Sequence, residues 1–263
     1  MRRKKYIENK SKAVNNKRNY FLIFIPVLIL IILLTLYFIY KLATLPKFVF
    51  LNRNNVNGES EIFIVDSKND YIKKYVFSDE LLVDSSYGYG EYNLKNLWIL
   101  SEKEKLGGKL MATTISKNFS LPIYYFLDQK KTNMDILHMF KARIAIKSNL
   151  SDEGVIESKN LSKSTLADFV NDVIQENAID VIIDDRSGNP TSSENIALIV
   201  STLGSKVVDY RKGFDENLDC EIQSNVNSEI VKNLSNIFGC PVSLVKGDGK
   251  VVIVIGNKFS SRF

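Results

Sequence analysis

The stretch Ile179-Asp-Val-Ile-Ile-Asp184 is an apolar run of strand length, and the chain that follows it continues in an alternating pattern. Residues 192–203 carry apolar side chains at helical spacing and stop at Gly204, a residue type that favours helix ends. The next apolar run, residues 206–210, has the length and composition of a second strand. This part of the chain therefore predicts a βαβ-like unit.

A second cycle of the same kind follows towards the C-terminus. Its segments are a strand at 218–222, a helix at 228–238 closed by Gly239, and strands at 242–245 and 251–255. Two such units bury their apolar faces most simply as one layered structure. We therefore predict a small layered α/β domain over residues 178–263.

The region upstream mixes both kinds of periodicity. The predicted strands are 48–51, 61–65, 71–77 and 121–127, and the predicted helices are 92–100, 106–119 and 133–145. The pattern predicts an α+β or α/β region over residues 47–150. Residues 147–165 are rich in Ser, Asn and charge, and 166–177 are amphipathic, so we interpret 151–177 as a linker and a helix.

Near the N-terminus, residues 21–40 form an uncharged, predominantly apolar run of 20 residues. As a helix it would be about 30 Å long, which matches the hydrocarbon core of a bilayer. A cleaved signal peptide would have a shorter apolar core and a small-residue cleavage site, and a buried soluble helix would show a polar face. Both alternatives fit less well than a single uncleaved transmembrane helix.

Charge is distributed unevenly along the chain. The 35 Lys and Arg and 30 Asp and Glu give a formal net charge of +5, but residues 1–20 alone hold eight cations and one acid. The rest of the chain is slightly acidic, which argues against a nucleic-acid-binding domain. By the positive-inside rule, residues 1–20 are expected to be a cytoplasmic tail and the body after the helix to be extracytoplasmic. The protein is therefore expected in a cell membrane, with the lipid bilayer as its first partner.

The two cysteines, Cys220 and Cys240, fall in the second cycle, one in a predicted strand and one just past the following helix. A chain that runs up a strand and back down a helix can bring such positions together. Outside the cytoplasm a disulfide can persist, so we predict one here; two buried reduced thiols are the alternative.

Other candidate sites are sparse. Asp184, Asp185, Arg186 and Asn189 follow a predicted strand and precede a helix, the usual place for a ligand loop in α/β sheets, although charged connectors are also common there. His138 is the only histidine and is interpreted as a structural residue, because a zinc site needs further ligands. No catalytic residue, metal site or cofactor is predicted.

A family resemblance adds to this interpretation. Gly107-Gly108, the following helix and the Pro-Ile-aromatic strand to Leu127 resemble a segment of the LytR-CpsA-Psr (LCP) cell-envelope proteins, and Tyr87-Gly-Tyr-Gly90 resembles the loop upstream. Residues 181–210 and 252–259 are similar to the LytR C-terminal domain. The resemblance implies an anchored envelope protein, and in catalytic members a Mg²⁺-dependent transfer of polyprenyl-pyrophosphate-linked glycopolymers to the cell wall.

This sequence departs from the catalytic pattern of that family. Where Asp and Arg motifs would lie it has Glu59-Ser-Glu61 and Phe77-Ser-Asp-Glu80, and no arginine occurs between Asn54 and Lys141. Pyrophosphate chemistry needs cationic groups that neutralise developing charge. We therefore expect a non-catalytic binding module for a wall polymer or envelope protein; the alternative is a divergent LCP-type phosphotransferase.

Overall fold

The computed structural model describes residues 24–54, 58–128, 131–148, 152–177, 179–246 and 249–263. The predicted cytoplasmic tail, residues 1–20, and the first three residues of the predicted membrane helix lie outside these ranges. The chain divides into two units, Met1–Leu45 and Pro46–Phe263.

In the first unit, helix α1 spans Phe24–Ala43, with 20 residues and almost entirely exposed apolar side chains. It is the one helix in the described ranges that is long and apolar enough to cross a membrane, by length and composition. The Thr35 hydroxyl donates to the carbonyl of Ile31 at 2.7 Å, so this polar group needs no water. The helix continues three residues past its predicted end and stops before Pro46, whose ring disfavours helical geometry in the residue preceding it.

The second unit is mixed α/β, and its described residues form three sheets. The strands are β1 (Phe48–Arg53), β2 (Ser60–Asp66), β3 (Tyr71–Phe77), β4 (Leu82–Ser85), β5 (Gly90–Asn93), β6 (Tyr125–Leu127), β7 (Asp152–Ile156), β8 (Asp180–Arg186), β9 (Lys206–Lys212), β10 (Cys220–Ser224), β11 (Val242–Leu244) and β12 (Val251–Gly256). The helices are α2 (Leu94–Lys103), α3 (Gly108–Phe119), α4 (Ile136–Lys147), α5 (Lys163–Asp168), α6 (Asp172–Asn177), α7 (Pro190–Leu203), α8 (Glu229–Phe238) and α9 (Asn257–Arg262), with a 3₁₀ turn at Ser86–Gly88.

The first five-stranded sheet has the order β6-β1-β2-β3-β7. The predicted meander β1-β2-β3 is confirmed as antiparallel, and β6 and β7 add to its two edges as parallel strands. Strand β7 lies in the region predicted as linker. The Tyr75 ring lies where a side chain at Gly154 would be, 2.5 Å from that position, which explains a glycine in this strand.

The second five-stranded sheet has the order β11-β10-β12-β8-β9, with only the β10–β12 pair antiparallel. The strands and helices predicted between 179 and 255 are confirmed, and α9 follows as an additional helix. Val181 and Ile183 of β8 and Ile253 of β12 are buried on one side, where α7, α8 and α9 pack. A two-stranded sheet, β4–β5, completes the unit.

The helix predicted over 166–177 is two helices, α5 and α6, separated at Asn171. The Asn171 side chain accepts hydrogen bonds from the backbone N–H groups of Val173 and Ile174, which begins a new helix there. On α5, Asp168 pairs with Lys73 of β3 at 2.7 Å, and Phe169 stacks on Tyr75. Apolar residues of both five-stranded sheets belong to one hydrophobic core. The division into domains 47–150 and 178–263 stays a prediction.

Candidate functional site

The predicted ligand loop lies at the end of β8, and the structure brings its four residues together. Arg186 Nη2 pairs with Asp184 Oδ2 at 2.7 Å, and this contact raises the pKa of Arg186. Asp185 Oδ1 accepts from the Ser187 backbone N–H and hydroxyl at 2.9 and 2.6 Å. Asn189 begins α7 by accepting from the Thr191 N–H.

These contacts show what the loop does locally. Each polar side chain of the four has a partner within the protein, and Asn189 Nδ2 also donates to Ser260 Oγ of α9 at 3.0 Å. The loop is therefore an ordered connection between β8, α7 and α9. Binding of a ligand by Asp184, Asp185, Arg186 and Asn189 stays a prediction.

The predicted disulfide between Cys220 and Cys240 is present. Cys220 begins β10 and Cys240 follows α8, and their Cα atoms are 5.3 Å apart. Gly239 ends α8 in the left-handed conformation, which turns the chain so that Cys240 faces the strand. The bridge links the end of α8 to β10, an interior strand of the second sheet.

His138 has the structural surroundings that the sequence indicated. Its Nδ1 lies 2.8 Å from Asp135 Oδ2, and its ring packs against Phe48 and Tyr125 with centroid distances of 5.0 and 4.8 Å. In the described residues there is no group of three or more His, Cys, Asp or Glu side chains that could hold a metal ion.

A cavity of about 290 Å³ lies between α3, β6 and α8, and no sequence pattern predicted it. Its lining residues combine apolar side chains with hydroxyl, amide and amine groups: Lys109, Ala112, Thr113, Ile123, Tyr124, Phe126, Asn133, Ser235, Asn236, Ile237, Phe238 and Gly239. Ligand sites commonly have this composition, an apolar lining with a few polar groups that orient the ligand.

Two polar side chains of the cavity wall form hydrogen bonds with backbone groups. Asn133 accepts from the Phe126 N–H at 2.9 Å and donates to the Tyr124 carbonyl at 3.0 Å. Ser235 donates to the Cys240 carbonyl at 2.7 Å, so the disulfide-linked turn is also held. By contrast, Lys109 is exposed, and its amine forms no ion pair within the part of the chain that the structure describes. It is the cationic group available to a ligand.

The glycine pair Gly107-Gly108 allows α3 to approach β6 closely. A side chain at Gly108 would begin 2.4 Å from the ring of Phe126, so only glycine lets that ring lie against the helix. Gly107 has a φ of 57°, a conformation that glycine adopts at little cost. The Gly107-Gly108 pair, followed by the aromatic strand, is the sequence pattern from which this wall of the cavity could have been predicted.

Tyr124, which lines the cavity, is part of a polar cluster with Asn171, Glu229 and Asn233, in which Glu229 is half-buried. Asn171 Nδ2 donates to Glu229 Oε1 at 3.0 Å. Burial raises the pKa of Glu229, although the hydrogen bond from Asn171 acts in the opposite direction. The Tyr124 hydroxyl and Asn233 Nδ2 are buried and form no hydrogen bond in the described ranges, and burial raises the pKa of Tyr124 strongly.

Glu61 and most arginines of the second unit are occupied by contacts within the protein. Glu61, from the Glu59-Ser-Glu61 stretch singled out in the sequence, is buried and accepts from Asn52 and Asn54 at 2.9 and 2.8 Å. Four of the five arginines of the second unit pair with carboxylates at separate places: Arg53 with Glu102, Arg186 with Asp184, Arg211 with Asp209 and Arg262 with Asp219. The cationic side chain that lines the cavity is Lys109.

Comparisons with known proteins leave the family open. No family model matches the chain, and no curated protein matches it. A solved structure, the X-ray crystal structure of a transcriptional regulator from Enterococcus faecalis, is similar with 11% identity and a TM-score of 0.27. The match covers 32% of this chain and 31% of that chain.

Proposed function

We propose that this chain is a single-pass, membrane-anchored protein of the cell envelope whose extracytoplasmic body binds a wall polymer or a partner protein. The observation that carries the proposal is that one chain has both an N-terminal apolar helix and a disulfide in its body. Such a helix supplies the anchor, and a disulfide is stable in an oxidising compartment outside the cytoplasm. The basic residues in 1–20 support a cytoplasmic N-terminus.

The cavity between α3 and α8 is the proposed binding place. Its apolar lining, which includes Ile123 and Phe126, suits the ring faces of a sugar, and its amide and hydroxyl groups suit sugar hydroxyls. Lys109 at its exposed side suits an anionic substituent. A phosphate-bearing glycopolymer segment combines these features, and the resemblance to LCP proteins supports the same ligand class.

The topology is tested by labelling introduced cysteines on intact cells with a membrane-impermeant maleimide. Because both native cysteines are paired, a single new cysteine is the only expected target. Ser158→Cys, at an exposed position of the body, should be labelled, whereas Ser11→Cys should be labelled only after lysis. The opposite pattern overturns the proposed orientation.

Binding is tested by titrating the full-length protein in nanodiscs with phosphate-bearing and neutral wall-glycan fragments. Lys109→Met should weaken binding of the charged fragment by roughly tenfold, because it removes a charge-assisted contact. Lys232→Met is the matched control, since it removes an exposed lysine of α8 that does not line the cavity. Equal effects of both variants would contradict the cavity assignment, and Mg²⁺-dependent cleavage of a polyprenyl-pyrophosphate substrate would contradict a purely binding role.

A further inference from the structure

Strand β9 is the longest edge strand of the two large sheets. It has seven residues, whereas the other three edge strands, β6, β7 and β11, have three, five and three. It pairs with β8 on one side, from Lys206 to Lys212. Among the residues that the structure describes, no strand covers its outer edge. The N–H and C=O groups of such an edge are free to pair with a further strand, and proteins usually keep edges short for that reason.

The side chains of β9 are exposed on both faces of the sheet. Six of its seven residues are exposed, among them Tyr210 at 52%. Asp209 and Arg211 lie on the other face from Tyr210 and pair with each other at 3.5 Å, and both remain about half exposed. Charges on an edge strand discourage pairing with most other strands. Two opposite charges that lie two residues apart can also select a strand that presents the same two charges in reverse order.

The strand that presents them in reverse order is β9 of a second copy. Antiparallel pairing about a two-fold axis at Tyr210 puts Asp209 opposite Arg211 of the second copy, and Arg211 opposite its Asp209. Because each Arg211 also contacts its own Asp209, the four charges alternate in sign around a square. An axis at Asp209 would place two aspartates opposite each other and Lys206 opposite Lys212, and an axis at Arg211 would oppose two arginines. Like charges directly opposite are destabilising, so the charges favour the axis at Tyr210 over both.

We propose that β9 is a self-association edge, through which two copies of this chain pair in antiparallel fashion about Tyr210 and join their second sheets into one. A two-fold interface requires a surface that is complementary to itself. The order Asp209-Tyr210-Arg211 meets this requirement, which is why a second copy fits this edge better than an unrelated strand. The proposal goes beyond the binding function of the cavity and does not depend on it.

Cross-linking of the full-length chain in detergent micelles tests the contact. Both native cysteines are paired, so Tyr210→Cys supplies a single free thiol. Residues directly opposite on antiparallel strands have Cβ atoms about 4.5–5.5 Å apart, and mild oxidation should therefore link two copies of this variant. Leu198→Cys on α7, where the side chain is 55% exposed, is the matched control and should remain monomeric on a non-reducing gel. Cross-linking of Tyr210→Cys that does not exceed that of the control overturns the proposal.

Charge exchange between copies tests the register. In the Tyr210→Cys background, Asp209→Arg and Arg211→Asp should each weaken self-association by roughly thirtyfold, because both cross-strand pairs change from opposite to like charge. An equimolar mixture of the two variants should recover the cross-link, with one chain of each kind in the product by mass spectrometry.

This recovery separates the contact between copies from the contact within one chain. Neither variant has the Asp209–Arg211 pair of the native chain, so only pairing between different copies can restore opposite charges. The side chains are exposed, and both variants should therefore keep the urea midpoint of the parent. Single variants that cross-link as well as the parent, or a mixture of folded variants that does not recover, overturn the proposal.

Discussion

Asn171 Nδ2 donates a hydrogen bond to Glu229 Oε1 at 3.0 Å, joining the segment between the two large sheets to the first turn of α8. Asn171 Nδ2 also lies 3.2 Å from the Lys47 carbonyl, and its backbone N–H donates to the Leu203 carbonyl. One fully buried side chain therefore connects α8 to the start of β1 and to the first turn of α6. Asn171 lies within the helix predicted over 166–177, yet its contacts join three other parts of the second unit.

We expect Asn171→Ala to lower the free energy of unfolding by about 2–4 kcal/mol, because it removes a helix cap and leaves buried partners unsatisfied. Trp98 is the only tryptophan and is buried, so its fluorescence during urea unfolding reports on the second unit. Asn177→Ala, at the exposed end of α6, is the matched control and should have a much smaller effect. Equal losses in the two variants would contradict the connecting role of Asn171.

Glu229 predicts a dependence of stability on pH. Because burial raises its pKa in the folded protein above the ordinary 4.5, the folded state binds the proton more tightly than the unfolded state. The stabilisation of the fold that comes from protonated Glu229 is complete below the pKa of the unfolded state and is lost as pH rises through the pKa of the folded state.

Glu229→Gln cannot ionise and retains an oxygen that accepts from Asn171. The variant should therefore be more stable than the native protein at pH 7, with the difference shrinking towards pH 4. Urea midpoints at the two pH values measure this. The predicted sign is contradicted if the stability of the variant minus that of the native protein is smaller at pH 7 than at pH 4.

The disulfide should stabilise the folded protein by restricting the conformations that the unfolded chain can adopt. Cys220 and Cys240 are 20 residues apart, and closing such a loop contributes about 3 kcal/mol in the chain-entropy model. The double variant Cys220→Ser/Cys240→Ser should unfold at correspondingly lower urea concentration. A reducing agent should lower the midpoint of the native protein and leave that of the double variant unchanged, which separates loss of the bridge from general effects of the reagent.

Gly108→Ala should disturb the cavity directly. The added methyl group would meet the body of the Phe126 ring, so we expect a loss of about 1–3 kcal/mol, typical of overpacking, together with weaker binding of the glycan fragment. In the double variant Gly108→Ala/Phe126→Leu, the smaller side chain should recover part of the stability. If Phe126→Leu lowers the stability of the Gly108→Ala background as much as that of the native chain, the two residues do not interact as described.

Particular elements show how far sequence patterns reached. The helices and strands after 179 were predictable because apolar spacing and the stops at Gly204 and Gly239 are local features. Strand β7 was not, because Asp152-Glu-Gly154 has poor strand propensity; it pairs with β3, where the Tyr75 ring covers Gly154. Residues 121–124 were predicted within the strand, but the ladder begins at Tyr125, after Pro122, which lacks an N–H group.

By itself, the sequence determined the features that depend on neighbouring residues: the apolar helix, the basic tail, the alternation of strands and helices, and a strand-helix spacing that lets Cys220 meet Cys240. Only the tertiary structure decided the features that depend on residues far apart in the chain. These include the cavity between α3 and α8 and the contacts of Asn171. The physical reason is that periodicity shows which side chains share a face of an element, whereas what that face meets depends on the packing of the whole unit.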